Sequence, residues 1–424
     1  MWAGRGVALK RKLIDSIVDF LAAPSAATAE DLDRHGRIDW WSTYSWLDTS
    51  GVALYFAQAI QDIGATDVLP RSVHDRLEQN LADSRNASNV MFIEFCRINA
   101  AFGSTAAPYA VHKGFSLVPD YCPDPSLRTQ VDFDFQVCPE HVTVFAEVLR
   151  SLGYHPITNS RGEERFETIP GHIPHLRDIY RPKASFRTEL HFGQSSAEDT
   201  SELLKHGRCR VKYLNGASFP VLPQFDEFLD QTNHIIRHAG GGWIRTSCLL
   251  EMSYFIRKQR EDSRFWANLK ERCATDGTAR YAVGLALGLM LATFPAPDLA
   301  PAGQFVEALS PEVQLWVRCC GRKFALAKFP GTKLHLLLDQ ATAKDLNEWR
   351  RSARRRLFPI KKPAQVGIAI DQSLAARVKA AYVQTRWEIG RVNFHVVQSC
   401  RLWCEYRKWR HALQTIQKRQ TSSN

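Results

Sequence analysis

The stretch "VDFDFQV", Val131 to Val137, alternates strictly between apolar and polar residues. Alternation of period two suits an extended strand, in which side chains two apart point the same way. Asp132, Asp134 and Gln136 therefore share one face, and Val131, Phe133, Phe135 and Val137 form the opposite, buried one. A strand that must pack its apolar side thus carries two carboxylates next to each other. Like charges so close raise each other's pKa unless a cation lies between them. A divalent ion such as Mg²⁺, which takes carboxylate oxygens as ligands, is one direct solution. An edge strand with an acidic, solvated face is the other reading of these two residues alone.

Three neighbouring segments bear on the choice. In "FRTELHF" the same alternation puts Arg187, Glu189 and His191 on one face, so Glu189 supplies a third carboxylate if the two strands are adjacent. In "HKGFSL", Lys113 and Gly114 close a short apolar strand; glycine lets backbone N–H groups come close to a phosphate and lysine adds a point charge. Arg128, four residues before Asp132, is a second cation in reach of an anionic substrate. A polyanion site with its own metal carboxylates is the simplest purpose common to all of these.

The rest of the chain is organised around this segment. Apolar residues recur at three and four from Val7 to about Ala107, in "LIDSIVDFL", "WWSTYSWLDTSGVALYFAQAIQDI" and "NVMFIEFCRINAAF", which predicts helices. Gly103-Ser104 reads as a helix-end turn. The period becomes two at "YAVH" and "VDFDFQV", helical in "PEHVTVFAEVLRSLGY" with Pro139 in its first turn and Gly153 at its end, and hairpin-like through "HPITNSRGEERFETIPGHIPH". Beyond Asn215 the helical period returns in "FDEFLDQTNHIIRHAGGGWIRTSCLLEMSYFIRKQ" and "RYAVGLALGLMLATF", and the Pro-rich "PAPDLAPAG" predicts a linker or sharp connection. The expected organisation is a helical region over 1–108, an α/β core over 109–215, a helical domain over 216–340 and a basic helical region over 341–424.

Charge is unevenly spread. The chain of 424 residues has a formal charge of +11, and residues 345–424 alone hold 17 Lys and Arg against five Asp and Glu. "ARRRLFPIKKP" and "EYRKWRH", with Trp349, Phe358, Trp403 and Trp409 available for base stacking, make nucleic acid a candidate partner through this region. A solvated helix face, an anionic protein or a lipid surface fits the same charge. The ten cysteines form neither a C-x-x-C zinc pair nor a dense disulfide framework, so reduced thiols are expected. Asp15 and Asp19 interrupt the first apolar stretch, which therefore reads as an amphipathic helix and not a signal peptide. The longest apolar run, Tyr281 to Phe294, is too short to span a membrane and, with Gly284 and Gly288, predicts a tightly packed buried helix. Together these indicate a soluble, cytoplasmic protein with no membrane span. His172 and His175 in "GHIPH", and His234 and His238 at i and i+4, lack partners in the sequence for a metal site.

The order of an apolar strand, Lys-Gly, a Tyr- and Pro-containing loop, Arg-x-x-x-Asp-x-Asp, a helix ending in "LRSLGY" and a later strand with Glu-Leu-His resembles the uncharacterised nucleotidyltransferase family of the DNA polymerase β-like superfamily. More distantly it is similar to the abortive-infection toxin nucleotidyltransferases. The resemblance covers Tyr109 to Gln194, and "GGWIRTSCLLEMSYFI" resembles the helical region that follows the core in that family. The superfamily usually has Gly-Ser where this chain has Lys113-Gly114.

The resemblance implies an α+β fold, a minimal nucleotidyltransferase mixed sheet with flanking helices embedded in a mostly helical chain. It further implies transfer of a nucleoside monophosphate from an NTP to a hydroxyl acceptor with release of pyrophosphate, using Mg²⁺ or Mn²⁺. Asp132 and Asp134 match the D-x-D metal ligands, Glu189 is the candidate third carboxylate, and all three are the expected catalytic and metal residues. Lys113, Gly114, Arg128 and His191 are the expected nucleotide-binding residues, with His191 equally suited to a structural hydrogen bond. A degenerate copy of the fold that binds nucleotide or nucleic acid, and a toxin acting on tRNA or protein, are the alternatives. The acceptor is a small molecule, a protein or RNA.

Overall fold

The computed structural model describes residues 13–160, 162–171, 176–193, 200–358 and 373–421. His172 and His175 lie outside the described residues. Two compact units emerge, one of residues 1–237 with 244–309 and one of residues 238–243 with 310–424.

The first unit opens with helices over residues 13–22 (α1), Ala26–Asp33 (α2), Arg37–Ser50 (α3), Ala53–Asp62 (α4) and Arg71–Gly103 (α5). In α1 the apolar Leu13, Ile17, Val18, Phe20 and Leu21 are buried, as the amphipathic reading requires. The helix α5 buries Val73, Leu77, Leu81, Ser84, Ala87, Met91, Phe95, Ile98 and Phe102, a stripe at steps of three and four that lays one side of a 33-residue helix on the core. Ser104 caps it, as the Gly103-Ser104 turn predicts.

Seven strands follow: Tyr109–His112 (β1), Phe133–Val137 (β2), His155–Ser160 (β3), Glu163–Glu167 (β4), Arg187–His191 (β5), Arg210–Leu214 (β6) and Ala217–Val221 (β7). They form one mixed sheet in the order β3-β4-β5-β2-β1-β7-β6, so the strand with the D-x-D motif lies in the middle. β2 pairs antiparallel with β1 and parallel with β5. The hairpin expected in "HPITNSRGEERFETIPGHIPH" is β3 against β4. Between β2 and β3 runs Val142–Ser151 (α6), entered through a single turn at Pro139–His141 and left through Gly153 at φ 85°.

One face of the sheet is the core. Phe133, Phe135, Val137, Leu190, Phe166, Phe219 and Val221 pack against Phe95, Ile98 and Phe102 of α5 and Phe145 and Leu149 of α6. Truncating a Phe in such a cluster costs about 3–5 kcal/mol. Val131 does not belong to it: β2 begins at Phe133 and Val131 is 41% exposed, because the chain enters the sheet only after Asp132.

The opposite face is mixed. Leu203 and Leu204 of the short helix Thr200–Lys205 (α7) cover Ala110, Cys138 and Leu222, leaving the polar residues of β2, β4 and β5 as a separate patch. Gln224–Gly240 (α8), Thr246–Gln259 (α9), Ser263–Thr275 (α10), Gly277–Thr293 (α11) and Gly303–Glu307 (α12) complete the sequence of helices up to Leu309. α11 is buried from Ala282 to Met290, and a side chain at Gly284 would meet the Phe305 carbonyl and Leu309 at 2.7 Å, so this glycine permits the close packing its sequence predicts. "PAPDLAPAG" is a short 3₁₀ helix, Pro297–Ala302, with Leu299 and Ala302 buried. No described helix is long and apolar enough to cross a membrane, and all ten cysteines are free thiols.

In the second unit, Pro311–Trp316 (α13), Arg322–Ala325 (α14), His335–Thr342 (α15) and Leu346–Leu357 (α16) precede a single helix of 48 residues, Leu374–Thr421 (α17). Leu402 and Trp409 of α17 are buried, and Glu405 accepts an ion pair from Lys323 at 2.8 Å. Of the four aromatics expected to stack on bases, Trp409 is therefore part of the packing, and Trp349 donates its indole N–H to the Leu336 carbonyl. Trp403 and Phe358 remain exposed.

Candidate active site

The polar patch of the sheet is built by register. Asp134 of β2 lies opposite Glu189 of β5, Glu189 lies opposite Arg165 of β4, and Asp134 lies opposite His112 of β1. Four adjacent strands thus each place one chemistry-bearing side chain on the same line. Two residues along, Gln136 lies opposite His191 and His191 opposite Glu163. A parallel β2–β5 pair brings the second carboxylate alongside the first, which is the adjacency the sequence left conditional.

The closest group is Asp134, Glu189 and His191, whose ligand atoms all lie within 4.8 Å of one another. His191 Nε2 is 2.7 Å from Asp134 Oδ1 and 3.6 Å from Glu189 Oε2. Among the described residues this is the one cluster of three or more His, Cys, Asp or Glu with such geometry. Asp132 stands just before the strand and outside that trio, although it feels both carboxylates.

Cations already partner the carboxylates. Lys113 Nζ lies 3.1 Å from Asp134 Oδ1, with side chains 12% and 6% exposed. Arg165 Nε lies 3.0 Å from Glu189 Oε1 and also contacts Glu163. Behind β1, His112 Nε2 is 3.4 Å from Asp230 Oδ2 of α8, and the two side chains are equally buried.

Lys113 reaches Asp134 because the backbone turns sharply after β1. Lys113 and Gly114 have φ of 56° and 51°, the left-handed region that a non-glycine residue enters at a cost of about 1–3 kcal/mol. At Gly114 a Cβ would fall 2.6 Å from Gln130 Nε2, which donates to the Asp132 carbonyl at 3.1 Å. Gly114 therefore seats the residue that holds the D-x-D approach.

Arg128 is placed differently from the other expected residues. Its Nε lies 3.5 Å from Glu251 Oε1 of α9, and Tyr55 donates its hydroxyl to the same oxygen at 3.0 Å. Burial opposes the charge on the guanidinium, but Glu251 outweighs it and holds the group above its ordinary pKa. Arg128 anchors the loop that leads to Asp132, and Arg245, donating to Thr129 at 2.5 Å, holds it one residue further on.

The electrostatics follow from this crowding. Burial, then Asp134 and Glu189, push the Asp132 carboxyl up to about 7. Burial also opposes ionisation of Asp134, but Lys113 and the His191 hydrogen bond outweigh it and hold that carboxyl below its usual range. Glu189 is raised by burial and then by Asp134, against the pull of Arg165. Burial lowers His112 to about 4 in spite of Asp230. Lys113 loses solvation, yet Asp134 and Asp230 keep it above its ordinary value.

This donor set fits a divalent cation. Two carboxylates and an imidazole converge from adjacent strands, and oxygen and imidazole ligands suit Mg²⁺, Mn²⁺ and related ions. An acidic group pushed up to about 7 beside two other carboxylates marks a pocket short of positive charge. Gln136 Nε2, on the same face, is buried without a hydrogen-bond partner among the described residues.

Sequence reasoning placed Asp134, Glu189, Lys113 and His191 in one site, and the fold brings them together. It missed Arg165, His112 and Asp230. Arg165 was readable, since Glu163, Arg165 and Glu167 alternate as Arg187, Glu189 and His191 do; Asp230 was not, because in "FDEFLDQTN" it has the pattern of any solvated helix residue.

A family model described as uncharacterised nucleotidyltransferase matches residues 36–295, well beyond the strands and loops that carry the resemblance. No curated protein and no solved structure shows a significant match to the chain.

Proposed function

The chain belongs to the uncharacterised nucleotidyltransferase family, and from that premise we propose that it moves a nucleoside monophosphate from an NTP to a hydroxyl acceptor, releasing pyrophosphate in a reaction dependent on Mg²⁺ or Mn²⁺. The observation that carries this reading is the alignment of Asp134 with Glu189 on parallel neighbouring strands, with His191 completing a trio of ligand atoms within 4.8 Å. These three residues would hold the cation, and Asp132 would add its carboxylate from the loop. A divalent ion bound there supplies charge for the phosphates and lowers the pKa of an oxygen it binds.

The chain's own residues do the remaining work. The acceptor oxygen forms a bond to the α-phosphorus as the bond to the bridging oxygen breaks and pyrophosphate leaves. The hydroxyl proton goes to a site carboxylate, Glu189 or Asp132. Lys113 and Arg165, beside the carboxylates of Asp134 and Glu189, would neutralise charge on the triphosphate. Arg128 acts through Glu251 as a positioning residue. His191, between the two carboxylates, keeps their oxygens apart and oriented.

The test is incubation of the protein with each α-³²P-labelled NTP, Mg²⁺ or Mn²⁺ and, in turn, bulk tRNA, cell-extract protein and small-molecule fractions. Metal-dependent transfer of label to one fraction is expected, and its loss in Glu189→Gln identifies the site as responsible. Nucleotide binding with no transfer to any fraction would leave a binding scaffold in place of an enzyme.

A further inference from the structure

The sheet sets His191 between carboxylates on two sides. On β5 it stands two residues after Glu189, and so on the same face, opposite Gln136 of β2 and Glu163 of β4. One ring nitrogen, Nε2, lies among the trio, 2.7 Å from Asp134 Oδ1 and 3.6 Å from Glu189 Oε2. The other, Nδ1, faces Glu163 Oε2 at 3.9 Å. A carboxylate behind the second nitrogen is the usual arrangement around a metal-bound imidazole, where it takes the ring proton, fixes the tautomer and leaves the first nitrogen's lone pair for the ion.

We infer that His191 is a direct ligand of the site's cation, oriented by Glu163, and that this imidazole makes the site favour a first-row transition ion such as Mn²⁺ over Mg²⁺. The inference rests on the trio being the cation site of the function proposed above, and is independent of which acceptor receives the nucleotide. In the metal-free site the Nε2 hydrogen bond runs to Asp134. Moving the ring proton to Nδ1, on the Glu163 side, frees Nε2 to bind the ion, so Glu163 is a positioning residue and His191 the ligand.

Spacing, charge and an unused donor support this. Ligand atoms about 2.1 Å from an octahedral ion stand about 3 Å apart at neighbouring corners, and the two Nε2 separations, 2.7 and 3.6 Å, fall on either side of that. Even without Asp230, the carboxylates of Asp132, Asp134, Glu163 and Glu189 exceed Lys113 and Arg165 by two charges, which one divalent ion supplies and a protonated His191 only halves. Gln136, opposite His191, is 4% exposed and its Nε2 has no partner among the described residues, so it is a donor for an oxygen in the rest of the ion's shell. The imidazole then selects the ion. Mg²⁺ takes oxygen ligands and sheds water reluctantly, whereas first-row transition ions accept imidazole beside carboxylate, so His191 removes one position from the set Mg²⁺ prefers.

The experiment uses the full-length protein, stripped of metal, at neutral pH without nucleotide. Binding of Mn²⁺ and of Mg²⁺ is read by isothermal titration, and the Mn²⁺ complex by pulsed electron paramagnetic resonance, which detects the ¹⁴N of an imidazole bound directly to the ion. The wild type should show that nitrogen coupling and bind Mn²⁺ at least about tenfold more tightly than Mg²⁺. His191→Gln should lose the coupling and most of the preference, through weaker Mn²⁺ binding with Mg²⁺ binding little changed. In an Arg165→Gln background, where no guanidinium is freed to compete for Glu189, Glu163→Gln should keep the coupling and weaken Mn²⁺ binding about tenfold; unchanged affinity there would remove Glu163 from the inference. Mn²⁺ binding without nitrogen coupling in the wild type, or the same ion preference in wild type and His191→Gln, would overturn the inference and leave a carboxylate cation site and the proposed reaction standing. No saturable binding of either ion would overturn the cation site itself. The wild-type spectrum decides ligation whether or not the variants fold.

Discussion

Asp134 and Lys113 form the most testable pair in the site. Their side chains are 6% and 12% exposed and 3.1 Å apart, so neither charge has water to fall back on. Breaking a buried pair by removing one partner costs about 3–5 kcal/mol, because the other charge is stranded, whereas replacing both with apolar or neutral groups is often close to neutral. Asp134→Asn and Lys113→Met should therefore each lower the unfolding free energy, read from urea melts, by that amount in metal-free buffer. The double variant should recover most of the loss, a coupling of about 2 kcal/mol or more in a double-mutant cycle. Neutralising Asp134 bears on stability as well as on activity, because the polar face of β2 is itself buried. The cycle also separates roles. Mg²⁺ at about 100 times its Kd should stabilise the wild type by about 2.7 kcal/mol and Asp134→Asn far less. Single variants that shift stability by less than about 1 kcal/mol, or a double variant equal to the sum of the singles, would refute the coupling.

Four further outcomes follow from the same geometry. Gly114→Ala should cost about 1–3 kcal/mol in thermal or urea unfolding, since it combines a positive φ with a Cβ 2.6 Å from Gln130 Nε2. His112, lowered to about 4 by burial, stabilises the fold fully above pH 6.5 and loses that contribution as pH falls through about 4; the difference amounts to about 3 kcal/mol and should disappear from the pH–stability profile of His112→Gln. Asp132 acts in the opposite sense, its raised carboxyl favouring the fold at low pH and opposing it as pH rises to about 7, so Asp132→Asn should gain stability relative to wild type across that window. Arg165→Gln should bind Mn²⁺ more tightly than wild type in the absence of nucleotide, by isothermal titration, because the guanidinium that competes for Glu189 is gone.

Much of this could be read in the chain before any coordinates. The period-two segments at "YAVH", "VDFDFQV" and "FRTELHF" became β1, β2 and β5, because each needs a buried apolar face and strand geometry gives it one. Lys113, Asp134, Glu189 and His191 were legible as a site because each lies on or next to such a strand, where spacing fixes direction. Direction does not fix neighbours: that Glu189 aligns with Asp134 depends on β5 pairing parallel to β2, a long-range choice with no local signal. Arg128 looked like a substrate cation because it precedes Asp132 by four residues, but its loop turns it towards Glu251, 123 positions later in the sequence. In α17 the basic residues were plain, while which of its apolar residues are covered, Leu402 and Trp409 among them, became apparent only in the fold.

The middle position of β2 has a consequence for synthesis of the protein. Its neighbours arrive late: Glu189 and His191 lie more than fifty residues downstream, and β1 finds β7 only when Val221 pairs with Val111. As the chain leaves the ribosome, β1 and β2 can form an antiparallel pair whose two outer edges both lack partners until those strands emerge. Such edges are templates for wrong pairing, and non-local pairing is slow. Any stop short of Val221 leaves Val111 of β1 unpaired on one edge of the sheet, and a stop before Arg187 also removes two of the three metal-ligand residues, so C-terminally shortened chains of either kind should accumulate as aggregates and not as a smaller working enzyme.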